Sequence, residues 1–249
     1  MQNSDSPQSG NTKYTTSFYH QHLSGSANSE RMMLQKLFQH FKPASVLDVG
    51  CGHGSWLQAV SESGITDFLG LDGHYVDQDA LLIEKSKFQA MDLREPLELG
   101  RRFDLVISVE VAEHLPMQRA ESFVRDLSRA SDVILFSAAI PYQGGEDHVN
   151  EQWPEYWGIL FRRAGYRCFD MFRATFWRDS HVESWYAQNA FLFVKVDNPL
   201  CHLLSAFSAD KHVLSRIHPE IFLVNVTRYR PDAPAQLQDE LEDRAGRSV

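Results

Sequence analysis

Residues 46–54 constrain the fold more than any other part of this chain. Val46-Leu47-Asp48-Val49 is a short apolar run of β type, and Gly50-Cys51-Gly52-His53-Gly54 breaks it with glycines at alternate positions. Ser55-Trp56-Leu57-Gln58-Ala59-Val60 then reads as the start of a helix. Glycine lacks Cβ and tolerates positive φ, so a strand, glycine turn and helix let backbone come close to a ligand. The unpaired N–H groups of the helix start face the same place. A dinucleotide turn needs Gly-x-Gly-x-x-Gly, with its third glycine three residues after the second. Ser55 holds that position here, so the spacing departs from the dinucleotide pattern.

Asp48-x-Gly50-x-Gly52-x-Gly54 instead resembles motif I of the class I S-adenosylmethionine-dependent methyltransferases, (Asp/Glu)-x-Gly-x-Gly-x-Gly. Later segments extend the resemblance in order. Thr66 to Asp72 reads as a second strand ending in an acid, about 20 residues after the turn, where a carboxylate can accept the ribose hydroxyls of a nucleoside. The alternative for Asp72 is a turn-capping residue before Gly73. In Phe88-Gln89-Ala90-Met91-Asp92-Leu93 the resemblance puts Asp92 near the adenine amino group and Leu93 beside the ring; otherwise Asp92 caps a turn or helix. Arg102 to Val111 reads as a fourth strand, apolar enough to be covered on both faces. Ala112-Glu113-His114-Leu115 after it resembles the family's Glu-His-Leu segment, which places Ser108, Val109 and Glu110 near the methionine part of the cofactor. The cofactor-binding set implied is Asp48, Gly50, Cys51, Gly52, Gly54, Asp72, Gly73, Asp92, Leu93, Val109 and Glu110. Tyr19 joins it from an N-terminal segment expected to fold over the cofactor as a lid.

Composition limits the alternatives. The 249 residues suffice for one large domain with extensions. A hydrophobic share of 43% with 23% charged residues is that of a globular chain. The net charge of −9 disfavours a broad grip on nucleic acid, where phosphate contacts supply much of the affinity. Cys51, Cys168 and Cys201 are widely spaced, with neither metal-type pairing nor a disulfide framework, as in a reducing compartment. No apolar run approaches the roughly 20 residues of a membrane span, and the polar N-terminus lacks a signal-peptide core. The expectation is a cytoplasmic protein without membrane insertion.

The patterns predict an α/β fold: a single doubly wound, seven-stranded, mostly parallel sheet with its last strand antiparallel. Residues 1–16 read as a flexible tail, 17–43 as the N-terminal lid and helix, and 44–196 as the methyltransferase domain. A C-terminal extension over 197–229 and a flexible tail over 230–249 complete the chain. Met33, Leu34, Leu37, Phe38 and Phe41 give helical spacing over 30–41, with Ser29 as N-cap. Strands are expected over 45–49, 67–71, 88–91, 104–109, 132–138, 166–172 and 190–196. Helices are expected over 55–63, 118–130 and 156–164, while 75–87 is open between a helical turn and a full crossover helix. Strands six and seven read as one long hairpin with no helix between them. His218 to Val224 reads as an extra strand offering an edge or a homodimer contact.

In an open α/β sheet the ligand lies beyond the carboxyl ends of the strands, so the loops after strands four and five should carry the acceptor chemistry. Residues 138–157 concentrate glycines, acids, amides, aromatics and a histidine in one such loop. Its His-Val-Asn-Glu-Gln-Trp-Pro segment resembles a bacterial subgroup of the same methyltransferases associated with glycan or natural-product genes. A hydroxyl acceptor benefits from a general base, for which His suits neutral pH. His148 is the first candidate, with His114 and His181 behind it; the alternative is that His148 and Asn150 only pin the loop. Trp153, Tyr156 and Trp157 could stack on a sugar or an aromatic acceptor. Glu146, Asp147 and His148 are of metal-binding type, but adjacency alone makes no site, and no metal is assigned.

The function expected is S-adenosylmethionine-dependent O-methylation of a small molecule or saccharide. Methylation of nitrogen, protein or nucleic acid is the rival within enzymes, although no Asp/Asn-Pro-Pro-Tyr segment follows strand four. A catalytically silent, cofactor-binding regulator is the rival outside them.

Overall fold

The computed structural model describes residues 16–209 and 214–229, with side chains placed for 26–209 and 214–226. α1 (Thr16–Phe38) leads into β1 (Ser45–Val49), α2 (Ser55–Glu62), β2 (Asp67–Asp72), β3 (Phe88–Ala90) and β4 (Leu105–Val109). α3 (Ala120–Ala130), β5 (Val133–Ser137), α4 (Pro154–Arg163) and β6 (Tyr166–Phe169) follow. The chain continues through α5 (Arg173–Phe176), α6 (Ser184–Asn189), β7 (Phe191–Lys195), α7 (Leu200–Leu203) and α8 (Pro219–Tyr229).

The seven strands form one sheet in the order β3-β2-β1-β4-β5-β7-β6. β3, β2, β1, β4 and β5 pair in parallel, and β7 runs antiparallel to both β5 and β6. The central strands β4 and β5 are buried at every position and mostly apolar because both faces are covered. Leu105, Ile107, Val133, Leu135, Leu192 and Val194 pack on the side of α1 and α2. The alternate residues Val106, Ile134, Phe136, Phe191 and Phe193 pack with α3 and α4. On that second face Phe161 of α4 stacks on Phe193, with ring centroids 3.9 Å apart. The expected doubly wound sheet and its antiparallel last strand are present.

The local expectations fail in three places, and a fourth segment, left open, has no crossover helix. The first helix starts at Thr16 rather than after residue 29, so Ser29 is no cap. It is buried inside α1, and its Oγ accepts the Glu183 N–H at 2.9 Å. Between β2 and β3, residues 75–87 hold only turns and the single 3₁₀ turn Lys85–Lys87. The link from β6 to β7 is no plain hairpin, since α5 and α6 lie within it. The strand expected over 218–224 is the first half of α8: Pro219 sits at the helix start, and His218 Nδ1 accepts the Glu220 N–H at 3.3 Å. The two tails expected over 1–16 and 230–249 lie outside the described residues, apart from Thr16 at the start of α1.

Candidate functional site

The sheet order reverses between β1 and β4, and a cleft of about 780 Å³ opens beyond the carboxyl ends of the strands there, where ligands of such sheets bind. Gly50, Asp72 and Gly73 form one wall, and Asp92, Leu93 and Arg94 a second. Glu110, Val111, His114 and Leu115 form a third, and Glu146 and Asp147 come from the loop after β5. His74 and Tyr75 complete the lining.

The glycine turn needs its glycines. Gly50 and Gly54 have φ of +85° and +86°, and a Cβ on Gly50 would stand 2.3 Å from Val111 Cγ2. Asp72 at the end of β2 holds this turn: its Oδ2 accepts the Gly52 N–H and its Oδ1 the Gly73 N–H, both at 2.6 Å. The Tyr75 hydroxyl donates to the same Oδ1 at 2.5 Å. A hydroxyl therefore already lies on the carboxylate expected to receive ribose hydroxyls. Asp92 is bound by the Arg94 guanidinium at 2.7 Å, which lowers its pKa to about 2. Leu93 is buried beside it.

Cys51, Gly52, Gly54 and Val109 are not among the lining residues. Cys51 and Val109 are in the core, and burial raises the Cys51 thiol pKa. Asp48 lies deeper, on the face covered by α1, fully buried with Oδ2 unpartnered; burial raises its pKa strongly, and the neighbouring Glu30 and Asp72 add to the effect. Glu30 of α1 is also buried. Its Oε1 accepts the Ser55 hydroxyl at 2.8 Å, its Oε2 has no hydrogen-bond partner among the described residues, and burial raises its pKa to about 7. The Tyr19 side chain lies outside the described residues.

The other end of the cleft is built from the β4 and β5 loops. Glu110 has φ +55°, one of three non-glycine residues at positive φ among the described residues; Tyr142 and Asp147 are the others, both in the loop after β5. Such strained positions gather at functional sites. The Glu110 carboxylate accepts from Ser137 at 2.8 Å, Gln143 at 2.9 Å and Asn189 at 3.2 Å. Burial nevertheless raises its pKa. The Glu113 carbonyl accepts the N–H groups of Val149 and Asn150, each at 2.9 Å, so backbone pins the loop. Asn150 adds a weaker side-chain bond to the Ala112 carbonyl, whereas the His148 side chain has other neighbours. Its Nδ1 meets Glu151 at 3.0 Å, and its ring lies edge-to-face with His114 at 4.8 Å. Gly145 makes room for it, since a Cβ there would come within 2.2 Å of His148 Nε2.

His114, which lines the cleft, thus meets His148, and His181 does not join them. The His181 ring is exposed and rests on Asp179 at 2.9 Å, and its carbonyl accepts from Asn28 of α1. Trp157 is buried against Phe136, while Trp153 is exposed. Sequence reasoning passed over Tyr75, Glu30 and the side chain of Glu113. Only Glu113 carried a signal, as the acid beside His114 in the Glu-His-Leu segment.

A family model described as a methyltransferase domain matches residues 26–180, more than half of the chain. The chain belongs to this methyltransferase-domain family. The cofactor of such a domain is S-adenosylmethionine. Among solved structures the domain is similar to DesVI of Streptomyces venezuelae, with 14% identity, 72% of this chain and 96% of that chain covered, and a TM-score of 0.51. It is also similar to the methyltransferase domain of bacterial CtHen1-C, with 15% identity, 68% and 97% covered, and a TM-score of 0.51. These likenesses show the fold. A curated relative, the ribosomal RNA large subunit methyltransferase E of Caulobacter sp. (strain K31), is 39% identical over 74 residues. That match covers 27% of this chain and 31% of the relative, so the chain spans about a third of its length.

Proposed function

We propose that this chain transfers the methyl group of S-adenosylmethionine to a hydroxyl oxygen of a small molecule or saccharide. The observation that carries the reading is the Asp72 carboxylate, bound to the glycine turn through the Gly52 N–H and to the Gly73 N–H beside it, in the wall of a cleft that His114, packed on His148, also lines. Asp72 holds the ribose, Leu93 and Asp92 flank the base, and the Gly50 turn admits the cofactor close to backbone. The unpartnered oxygens of Asp48 and Glu30 suit a buried cation, such as the cofactor's ammonium group. Bound there, the cofactor supplies a methyl group activated by its sulfonium. The protein's main contribution is then alignment of the acceptor with that carbon. Glu110, locked by Ser137, Gln143 and Asn189, fixes the wall between cofactor and acceptor. His114 and His148 are the groups placed to act on the acceptor's hydroxyl proton.

The curated relative's name refers to ribosomal RNA, but this cleft suits such an acceptor poorly. Among the described residues five acids line it, Asp72, Asp92, Glu110, Glu146 and Asp147, against one Lys or Arg, Arg94, which is already paired with Asp92. The test is transfer of label from methyl-labelled S-adenosylmethionine into a fractionated extract of the source cells, with Asp72→Ala as control. Label in the small-molecule or polysaccharide fraction, lost in the variant, is expected. Label in nucleic acid or protein would overturn the acceptor class. Cofactor binding without label in any fraction would favour the regulatory reading.

A further inference from the structure

One side-chain cluster at the acceptor end has chemistry that methyl transfer alone does not require. Glu113, His114 and His148 each bring one potential ligand atom within 4.8 Å of the others. Glu113 is fully buried; among the described residues its carboxylate oxygens make no well-formed hydrogen bond, lying beside the Glu110 carboxyl and the backbone of Ala139. A buried carboxyl left in this state is costly, and a cation beside it removes the cost. The two imidazoles next to it touch edge-to-face, and neither shields the carboxylate with a hydrogen bond. One ring nitrogen of His148 is held by Glu151, leaving the other for a ligand. Metal-binding histidines are typically oriented by a carboxylate on their second nitrogen in this way. Glu151 is itself fixed, since it accepts the N–H groups of Tyr142 at 2.7 Å and Gly144 at 3.0 Å. The Glu113 carbonyl, bonded to Val149 and Asn150, holds the two ligand-bearing segments together.

We propose that Glu113, His114 and His148 form a binding site for one divalent transition-metal ion, of the Mn²⁺, Co²⁺ or Zn²⁺ type. Two imidazoles and one carboxylate favour such ions over Ca²⁺ or Mg²⁺, which take mostly oxygen ligands. Bonds of about 2.0–2.2 Å hold ligand atoms roughly 3–4.4 Å apart, so the cluster closes on an ion by side-chain rotation alone. Three protein ligands leave coordination positions open, and the cluster borders the cleft through His114. An acceptor hydroxyl fills such a position, and its proton passes to water more readily from the ion. The acceptor oxygen then forms its bond to the methyl carbon while the carbon–sulfur bond breaks, leaving its electron pair on sulfur. The products are the methyl ether, S-adenosylhomocysteine and a proton. This use of the ion rests on the methyl-transfer reading; its binding does not.

The test uses the full chain, stripped with chelator and titrated with Co²⁺ by visible absorption and with Mn²⁺ by electron paramagnetic resonance. One saturable ion per chain is expected, with Co²⁺ bands of a mixed nitrogen–oxygen site. His114→Ala and His148→Ala should each weaken binding at least about tenfold, and both should keep the wild-type unfolding transition. The buried Glu113→Gln is the more disruptive variant and serves as a third. Absence of saturable binding in the wild type, or binding undiminished in both histidine variants, would overturn the site. Calorimetry with S-adenosylmethionine runs alongside. Ion binding without cofactor binding supports the metal site while removing the methyl-transfer reading.

Discussion

At the scale of single residues, Asp72 has more to satisfy than a ribose-binding acid needs. It fixes the glycine turn through Gly52, accepts the N–H of the following Gly73, and also accepts the Tyr75 hydroxyl. The Tyr75 side chain is 84% exposed, so little packing opposes its leaving. On the proposed reading, a ribose arriving at Asp72 exchanges one hydroxyl for another, and the two substitutions therefore have opposite signs. Asp72→Ala should weaken S-adenosylmethionine binding by about 1–3 kcal/mol, the size of a lost hydrogen bond to a charged group. Tyr75→Phe removes the competitor and should tighten binding about two- to tenfold, since a net hydrogen bond contributes roughly 0.5–1.5 kcal/mol. Calorimetry on both variants decides the matter. Unchanged affinity in Asp72→Ala would remove the acid from the site, and weaker binding in Tyr75→Phe would make the tyrosine a ligand contact.

At the scale of elements, α1 carries a charge into the interior. The folded chain holds the Glu30 proton up to about pH 7, against an ordinary carboxyl pKa of 4.5. The stability this group contributes is whole below about pH 4.5 and is lost as pH rises through about 7, because the unfolded chain ionises first. The loss is on the order of 3 kcal/mol for a group buried this deeply. Glu30→Gln keeps an acceptor for Ser55 and removes the titration. In urea unfolding of the cofactor-free chain, the variant should be the more stable near pH 8 and show a flatter profile from pH 5 upward. A wild-type slope retained in the variant would assign that pH dependence to another group. Ser29, one residue before, shows why this helix was misread from sequence. A serine ahead of an amphipathic run has the form of a cap, and nothing local says that its hydroxyl is needed by Glu183 instead. α5 and α6 are four and six residues long, too short for a helical period to emerge. α8 is rich in Ile, Phe, Leu and Val, which reads as β, and its start was marked only by Pro219.

At the scale of the whole molecule, what was legible is what both faces of the sheet impose. Mostly apolar, buried strands, glycines in a tight turn, and acids at the strand ends are local patterns, so the sheet and the strand-end lining of the cleft could be read directly. The acceptor end could not, because Glu113 and His148 meet only after the loop following β5 folds back onto the segment after β4. Charge acts at this same scale. The chain has 33 acids against 24 Lys and Arg, and its cleft is acidic too. A polyanionic acceptor would have to approach against both, with no free cationic lining at the cleft among the described residues. An RNA oligonucleotide should therefore bind more weakly than about 10⁻⁴ M at physiological salt, below the usual non-specific range. Fluorescence anisotropy over a salt series checks this. Tighter binding whose logarithm falls steeply with the logarithm of salt would report several phosphate contacts. It would place a basic surface elsewhere on the chain and move the acceptor from small molecules to nucleic acid, with the sheet and its cofactor wall unchanged.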